Sequence, residues 1–253
     1  MQILLNGLCG RMGRTTADLC KHGFCGMEIV CGVDKDPRPE DFDVPCYPSL
    51  AAVAVEFDCI VDFSAAGATA ELLDFATARA RPLVLATTGQ SQKDRRAILR
   101  AAKEIPIFFA PNFSIGAALL TTLAVAAAKA MPDADIEIVE THRKDKADAP
   151  SGTALAIADA LCKAARPHAA VAANGCKKRP GDIGVHALRL GQTVGTHEIR
   201  IANADECILL SHTAQNRTLF AKGALTAAAF LAGKAAGLYT MRDLVPNQND
   251  LCR

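Results

Sequence analysis

The sequence has no tryptophan and only two tyrosines in 253 residues, so ten phenylalanines and abundant Ala, Leu, Ile and Val must fill the interior. At this length they can do so without disulfide or metal staples. An excess of one charge is also missing. With 28 Lys and Arg against 27 Asp and Glu, the chain lacks the bulk electrostatics of a nucleic-acid or anionic-membrane binder. The most apolar stretch, Ile115 to Met131, is 17 residues long and contains Thr121, Thr122 and Lys129; it falls short of a bilayer span and reads as a packed helix. No basic segment precedes an apolar one at the start, so a secretory leader is not expected and a cytoplasmic location is. Ten cysteines occur without a CxxC pair, which predicts buried thiols rather than disulfides. The six histidines have neither zincin nor zinc-finger spacing, so no metal is expected.

What is present is organised in two parts. Over the first 113 residues, candidate strands at Gln2 to Asn6, Met27 to Val33, Cys59 to Phe63, Pro82 to Thr88 and Pro106 to Ala110 alternate with candidate helices. Those helices, Arg11 to Lys21, Ala65 to Ala78 and Gln92 to Lys103, are long enough to return the chain to a parallel neighbour, which predicts an α/β unit on a parallel sheet. Four prolines between Asp34 and Pro48 forbid a regular ladder there and put that loop on the rim. Beyond the helix from Ile115 come strand-like runs at Asp135 to His142, Gly184 to Gly191, Thr196 to Ala202 and Glu206 to Thr213, with a helix from Thr153 to Ala165 and a polar loop from Asn174 to Gly184. This predicts a second, α+β unit whose last three strands form an antiparallel meander. A final helix, Leu219 to Leu238, can pack back on the first unit. The expected domains are residues 1–113 with 218–253, and 114–217.

Immediately after the first strand stands Gly7-Leu8-Cys9-Gly10-Arg11-Met12-Gly13, opening a helix where a dinucleotide pyrophosphate can sit on free backbone amides. The spacing is GxxGxxG rather than GxGxxG, and a plain tight turn is the competing reading. Asp34, 21 residues past Gly13, ends the second strand and can bond a ribose 2′-hydroxyl. Lys35 beside it would tolerate a 2′-phosphate, or is a solvated loop lysine; the pair predicts NADH use with some tolerance of NADPH. Ala86-Thr87-Thr88-Gly89 and Ala110-Pro111-Asn112-Phe113 follow two further strands. There Thr and Asn can bond an amide or ribose and Phe113 can form an apolar wall, although each loop alone is ordinary turn chemistry. Ser64 either joins them or caps the next helix.

The stretch from Glu137 to Ala154 is the most informative. Period two puts Glu140 and His142 on one face of a strand, where the carboxylate can orient the ring. His142, Arg143, Lys144 and Lys146 then gather positive charge, offset by Asp145 and Asp148. A charge run is commonly a solvated face. Here, however, Pro150-Ser151-Gly152-Thr153 opens a helix whose first-turn amides can hold a carboxylate, with no Cβ at Gly152 in the way. Ser151 as a plain N-cap competes; the neighbouring cations favour a site for a small di-acid.

With these residues assembled, the chain resembles the dihydrodipicolinate reductases (4-hydroxy-tetrahydrodipicolinate reductases) of bacterial and plant lysine and diaminopimelate biosynthesis, nearly end to end. Glu137 to His142, Lys146, Asp148 and Pro150 to Ala154 match the family signature, and the glycine loop, Thr87 to Gly89, the run from Pro111, the run from Arg189 and the C-terminal segment from Gly237 follow in order. The resemblance implies a Rossmann-type nucleotide-binding domain plus a smaller α+β substrate and oligomerisation domain with an open mixed sheet. It also implies a homotetramer, and hydride transfer from NADH or NADPH to a cyclic unsaturated dicarboxylate. Lys146 and His142 take the family's acid/base positions, Gly152 and Thr153 the positions that bind a substrate carboxylate, and Gly7 to Met12, Asp34, Ala86 to Thr88 and Ala110 to Phe113 the coenzyme positions; Arg143 and Ser151 join the substrate candidates, and Lys35 the coenzyme candidates, on their own chemistry. The chemistry agrees: hydride addition to a conjugated imine places charge on an adjacent carbon, which an ammonium can stabilise and then protonate.

Three positions depart from the family pattern: Arg143 where a second His is common, Ala86 in place of Gly, and Thr196 in place of an acidic residue. Two other readings share parts of this pattern. A semialdehyde dehydrogenase needs an activated Cys, and no Cys here has basic neighbours like those of Lys146. A non-catalytic dinucleotide sensor would not need both His142 and Lys146.

Overall fold

The computed structural model describes residues 1–165, 171–173, 179 and 181–245, in two compact units. The first comprises Met1–Phe113 and Thr218–Leu244, the second Ser114–Arg217 and the stretch from Val245. Part of the polar loop expected from Asn174, and residues 246–253 of the expected returning segment, lie outside the described residues.

In the first unit, β1 (Gln2–Asn6), β2 (Glu28–Val33), β3 (Cys46–Tyr47), β4 (Cys59–Asp62), β5 (Leu83–Leu85) and β6 (Pro106–Phe109) are parallel, in the order β6-β5-β4-β1-β2-β3. Their apolar residues run continuously because both faces are covered: Ile3, Leu4, Leu5, Ile60, Val61, Leu83, Val84, Ile107 and Phe108 are fully buried. Three helices, α1 (Arg11–Lys21), α2 (Thr69–Ala78) and α3 (Gln92–Ala101), cross between the strands. Leu72, Leu73 and Ile98 of α2 and α3 share one core with Leu4, Ile60 and Leu83. Ser91 starts α3 through a capping box with Asp94. The helix expected from Ala65 begins instead as a 3₁₀ turn, Ala66–Ala68. The proline-rich rim loop does hold a ladder, but only of two residues: Cys46 and Tyr47, set between Pro45 and Pro48, pair with Gly32 and Val33.

The second unit contains α4 (Ile115–Ala130), β7 (Asp135–His142), α5 (Gly152–Ala164), β8 (Val171–Ala173), β9 (Ile183–Arg189), β10 (Gly195–Ala202) and β11 (Cys207–Ala214). The expected meander does not form. The sheet order is β11-β10-β7-β9-β8, with β9 parallel to β7, so β7 separates two strands that are neighbours in sequence. Alternation reports which face a residue takes and is blind to strand direction, which is why the pattern misled. Ile136 and Ile138 of β7, Val185 of β9 and Ile199 of β10 pack on Leu120, Ala124, Ile157 and Leu161 of the two helices. The opposite face carries Glu137, His186, Glu198 and Arg200 together with the exposed Leu188 and Leu209.

The chain returns to the first unit through α6 (Thr218–Leu231) and β12 (Gly237–Tyr239), which pairs with β6 to make seven parallel strands. The helix expected to reach Leu238 stops at Leu231, because Gly233 takes a left-handed φ of +73° and the chain turns back into the sheet. All eight described cysteines are free thiols. Cys20, Cys31 and Cys59 are buried, and desolvation pushes their thiols up to about 11, 11 and 12. Cys25 and Cys207 are exposed, against expectation. Among the described residues no helix is long and apolar enough to cross a membrane.

Candidate active site

At the carboxyl ends of the first unit's strands, β1 runs into a tight loop. Gly7 has φ +83°, and a Cβ there would lie 2.8 Å from the carbonyl carbon of Phe63. A Cβ on Gly13 would lie 2.1 Å from the carbonyl oxygen of Gly7, so only glycine lets α1 start this close to the loop. Gly10 is the N-cap of α1 and brings no side-chain acceptor, which leaves the first-turn amides of that helix for another partner. The Gly7 and Leu8 amides donate to Val33 O at 2.8 and 3.3 Å, and the Cys9 amide to Asp34 Oδ2 at 2.9 Å. A cavity of about 610 Å³ opens beside them, lined by Cys9, Gly10, Asp34, Asp36, Asp41, Arg14 and Arg38. Loop, helix start and carboxylate fit a dinucleotide.

Some expected coenzyme residues are used differently. Leu8 is fully buried and fills the space over Gly32, where a Cβ would be 2.2 Å from its Cδ2. Lys35 is exposed and does not line the cavity. The cations there are Arg14, bonded to Asp41 at 2.6 Å, and Arg38, bonded to Asp36 at 3.3 Å. Sequence reasoning missed both, although Arg14 stands in the first turn of the phosphate-loop helix. The Thr87 hydroxyl turns inward and donates to Asp62 Oδ2 at 2.6 Å. Asp62 also accepts from Asn6 Nδ2 at 2.8 Å and Ser64 Oγ at 2.5 Å, so one buried carboxyl, pushed up by desolvation against those bonds, ties the ends of three segments. Ser64 serves this cluster, not a cap. Phe113, expected as a wall, is a core ring 5.6 Å from Phe108. Ala110 is also buried, whereas Gly10, Arg11, Thr88 and Pro111 are exposed and Cys9, Met12, Ala86 and Asn112 lie between.

In the second unit, β7 delivers Glu140 and His142 to the same covered face. Glu140, fully buried, accepts from His142 Nδ1, from the Ser151 amide at 3.1 Å and from Arg189 Nη1 at 3.0 Å. That bond directs the imidazole, leaving Nε2 as its reactive nitrogen. The His197 ring meets His142 edge-on at 5.3 Å, and burial pushes His197 down to about 4, so it is neutral at pH 7. Ser151 is the N-cap of α5. Its Oγ accepts from the Ala154 amide at 3.2 Å and lies 3.3 Å from His197 Nε2.

The cap reading of Ser151 is therefore correct, and the helix start it organises carries Gly152, where a Cβ would meet nothing within 4 Å. Lys146 Nζ is 2.6 Å from Asp148, which it holds below the ordinary carboxylate range. Arg143 Nε is 3.0 Å from Asp145, held low by its own amide first and by Arg143 after it. The expected block of four cations is thus two ion pairs, the exposed Lys144 and the His142–Glu140 couple. Thr196, an unexplained departure, pairs with Thr213 at 3.3 Å on the opposite face, away from His197.

Residues 1–113 match the family model described as dihydrodipicolinate reductase, N-terminus, and residues 116–245 the one described as dihydrodipicolinate reductase, C-terminus. The chain belongs to the dihydrodipicolinate reductase family. Family membership makes it an NAD(P)H-dependent oxidoreductase. The curated 4-hydroxy-tetrahydrodipicolinate reductase of Caldanaerobacter subterraneus subsp. tengcongensis is 43% identical over 97% of this chain and 98% of its own length, and that of Clostridium tetani 39% over 95% of each. Among solved structures, a dipicolinate-bound dihydrodipicolinate reductase from Paenisporosarcina sp. TG-14 superposes with a TM-score of 0.80 at 24% identity, over 97% of this chain and 99% of that one. A Corynebacterium glutamicum DAP dehydrogenase in complex with DAP shares the fold more distantly, at a TM-score of 0.58 over 100% of this chain and 98% of that one, with 11% identity.

Proposed function

We propose that the chain reduces the dihydrodipicolinate-type cyclic imine to (S)-2,3,4,5-tetrahydrodipicolinate, with His142 and Lys146 handling the proton and the start of α5 holding a substrate carboxylate. The observation that carries this reading is the convergence of His142, Glu140 and the Ser151 amide at the start of α5. When bound, the coenzyme supplies the hydride. The glycine loop and the start of α1 hold its pyrophosphate, and Asp34 its adenosine ribose. The cavity beside Asp34 contains three carboxylates and two guanidiniums, each guanidinium already paired, so a neutral 2′-hydroxyl is favoured and NADH is the better donor.

The amides of Gly152 and Thr153 bind one carboxylate of the dicarboxylate, and Arg143 swings from Asp145 to the other. Lys146 has three donor hydrogens; one stays on Asp148 while another offsets the charge that develops on the carbon next to the one receiving hydride and is then transferred as a proton to that neighbouring carbon. His142 Nε2 shares that transfer. The test is Lys146→Ala, which should cut turnover by at least ~10²-fold while leaving NADH affinity nearly intact. Unimpaired reduction in that variant sinks the assignment.

The same reading makes the protein a cytoplasmic homotetramer. Its support is the open face of the second sheet, where the exposed Leu209 on β11 and Leu188 on β9 flank a paired polar band of Glu137, Arg200, Glu198 and His186, apolar and complementary charged groups that a two-fold copy of the same face can meet. The free thiols of the chain suit a reducing compartment.

A further inference from the structure

Arg189, the last residue of β9, spends its whole guanidinium inside the site described above. Nη1 donates to Glu140 Oε1 at 3.0 Å and to Leu188 O at 2.7 Å, Nη2 to Asp148 O at 2.5 Å, and Nε to Lys146 O at 3.3 Å. Two of these acceptors are backbone carbonyls of the loop that presents Lys146; another is the carboxylate that holds both the His142 ring and the Ser151 amide at the mouth of α5. We propose that Arg189 is a positioning residue of the reaction, one planar cation that fixes the Lys146 loop, the His142 ring and the helix mouth relative to one another. The proposal rests on the reductase reading.

Two physical arguments make this more than a buried ion pair. Only a guanidinium can satisfy acceptors on three sides in one plane; a lysine ammonium reaches one or two of them. The second concerns charge. Glu140 is fully buried, and the charged or titratable groups around His142 are Glu140 on its own strand, Arg189 on β9, His197 on β10, and Lys146 and Asp148 on the loop. With Arg189 present, a permanent cation lies 3.0 Å from the buried Glu140 carboxylate and offsets its charge. Remove Arg189, and the buried carboxylate is left with the His142 ring and the Ser151 amide as its remaining partners.

The experiment compares wild type, Arg189→Ala, Arg189→Lys and Glu140→Gln by steady-state reduction from pH 5.5 to 9, with and without added guanidinium ion, and by NADH binding. Arg189→Ala should lose about 100-fold in kcat/KM for the imine, as misplaced catalytic groups do, with the NADH dissociation constant within about twofold of wild type. The acid limb of the pH profile should move up in Arg189→Ala, which removes a positive charge from the site, and down in Glu140→Gln, which removes a negative one, a pair of opposite shifts that a merely structural role would not produce. Guanidinium should restore part of the activity of Arg189→Ala. Circular dichroism checks folding, and if the alanine variant does not fold, Arg189→Lys should fold and still show an intermediate loss, with a pH profile near that of wild type because the positive charge is kept while the guanidinium's bonds to the loop are not. Wild-type kcat/KM in the folded arginine variants, or a pH limb unmoved by either Arg189→Ala or Glu140→Gln, overturns the proposal. An inactive wild type would instead sink the reductase reading.

Discussion

Gly152 separates a ligand-binding role from a folding one at a single residue. A Cβ there meets nothing within 4 Å, so Gly152→Ala should melt within about 1 °C of wild type or slightly above it, since alanine is the better helix former. It should nevertheless weaken binding of pyridine-2,6-dicarboxylate, because the methyl group occupies the approach to the first-turn amides. Calorimetric titration checks this, and unchanged affinity would remove the helix mouth from the site. His197 gives a prediction of opposite kind. Burial pushes its imidazole from 6.5 down to about 4, so between those values the unfolded chain takes up a proton that the folded one refuses. Stability is therefore full above about pH 6.5 and declines as pH falls toward 4, by at most on the order of 3 kcal/mol. Urea midpoints measured across that range should show a shallower acid decline in His197→Gln; parallel curves would mean that another group drives it.

At the scale of elements, the contact between α1 and the strand-end loop sets what the first unit can tolerate. The hypothetical Cβ of Gly13 meets backbone carbonyl oxygens of Gly7 and Leu8 at 2.1 and 2.5 Å, and backbone cannot rotate away as a side chain can. Gly13→Ala should cost about 1–3 kcal/mol or more in an equilibrium unfolding experiment, and NADH binding should fall with the displaced helix start. Gly184 makes the contrast. Its Cβ would collide at 1.7 Å with the flexible Glu137 carboxylate, which can swing aside. Local signals were strongest for such elements. The limits of β1, α1 and β7 could be read from apolar period and capping residues, because those depend on neighbours in sequence. The end of α6 could not, since Gly233 sits in an alanine-rich run that continues to read as helix.

For the molecule as a whole, the open face of the second sheet is the feature that matters. If it is an assembly surface, light scattering should give four copies of the 26.6 kDa chain, and Leu188→Glu with Leu209→Glu, which replaces both exposed leucines of that face by charges, should yield smaller species. A monomeric wild type would refute the assembly while leaving the site intact. Composition and spacing by themselves determined the parallel sheet with its glycine loop, the second α+β unit, and the His142, Lys146 and Ser151–Thr153 segment, since all of these lie within short stretches of chain. Only the tertiary structure decided that β7 runs between β9 and β10, that Thr87 and Phe113 face inward, that Arg14 and Arg38 rather than Lys35 line the cavity beside Asp34, and that Arg189 closes on Glu140 from 49 positions away. Local pattern reports which face a side chain takes, whereas the partner it meets there is set by strand pairing across long loops, and no residue's near neighbours carry that information.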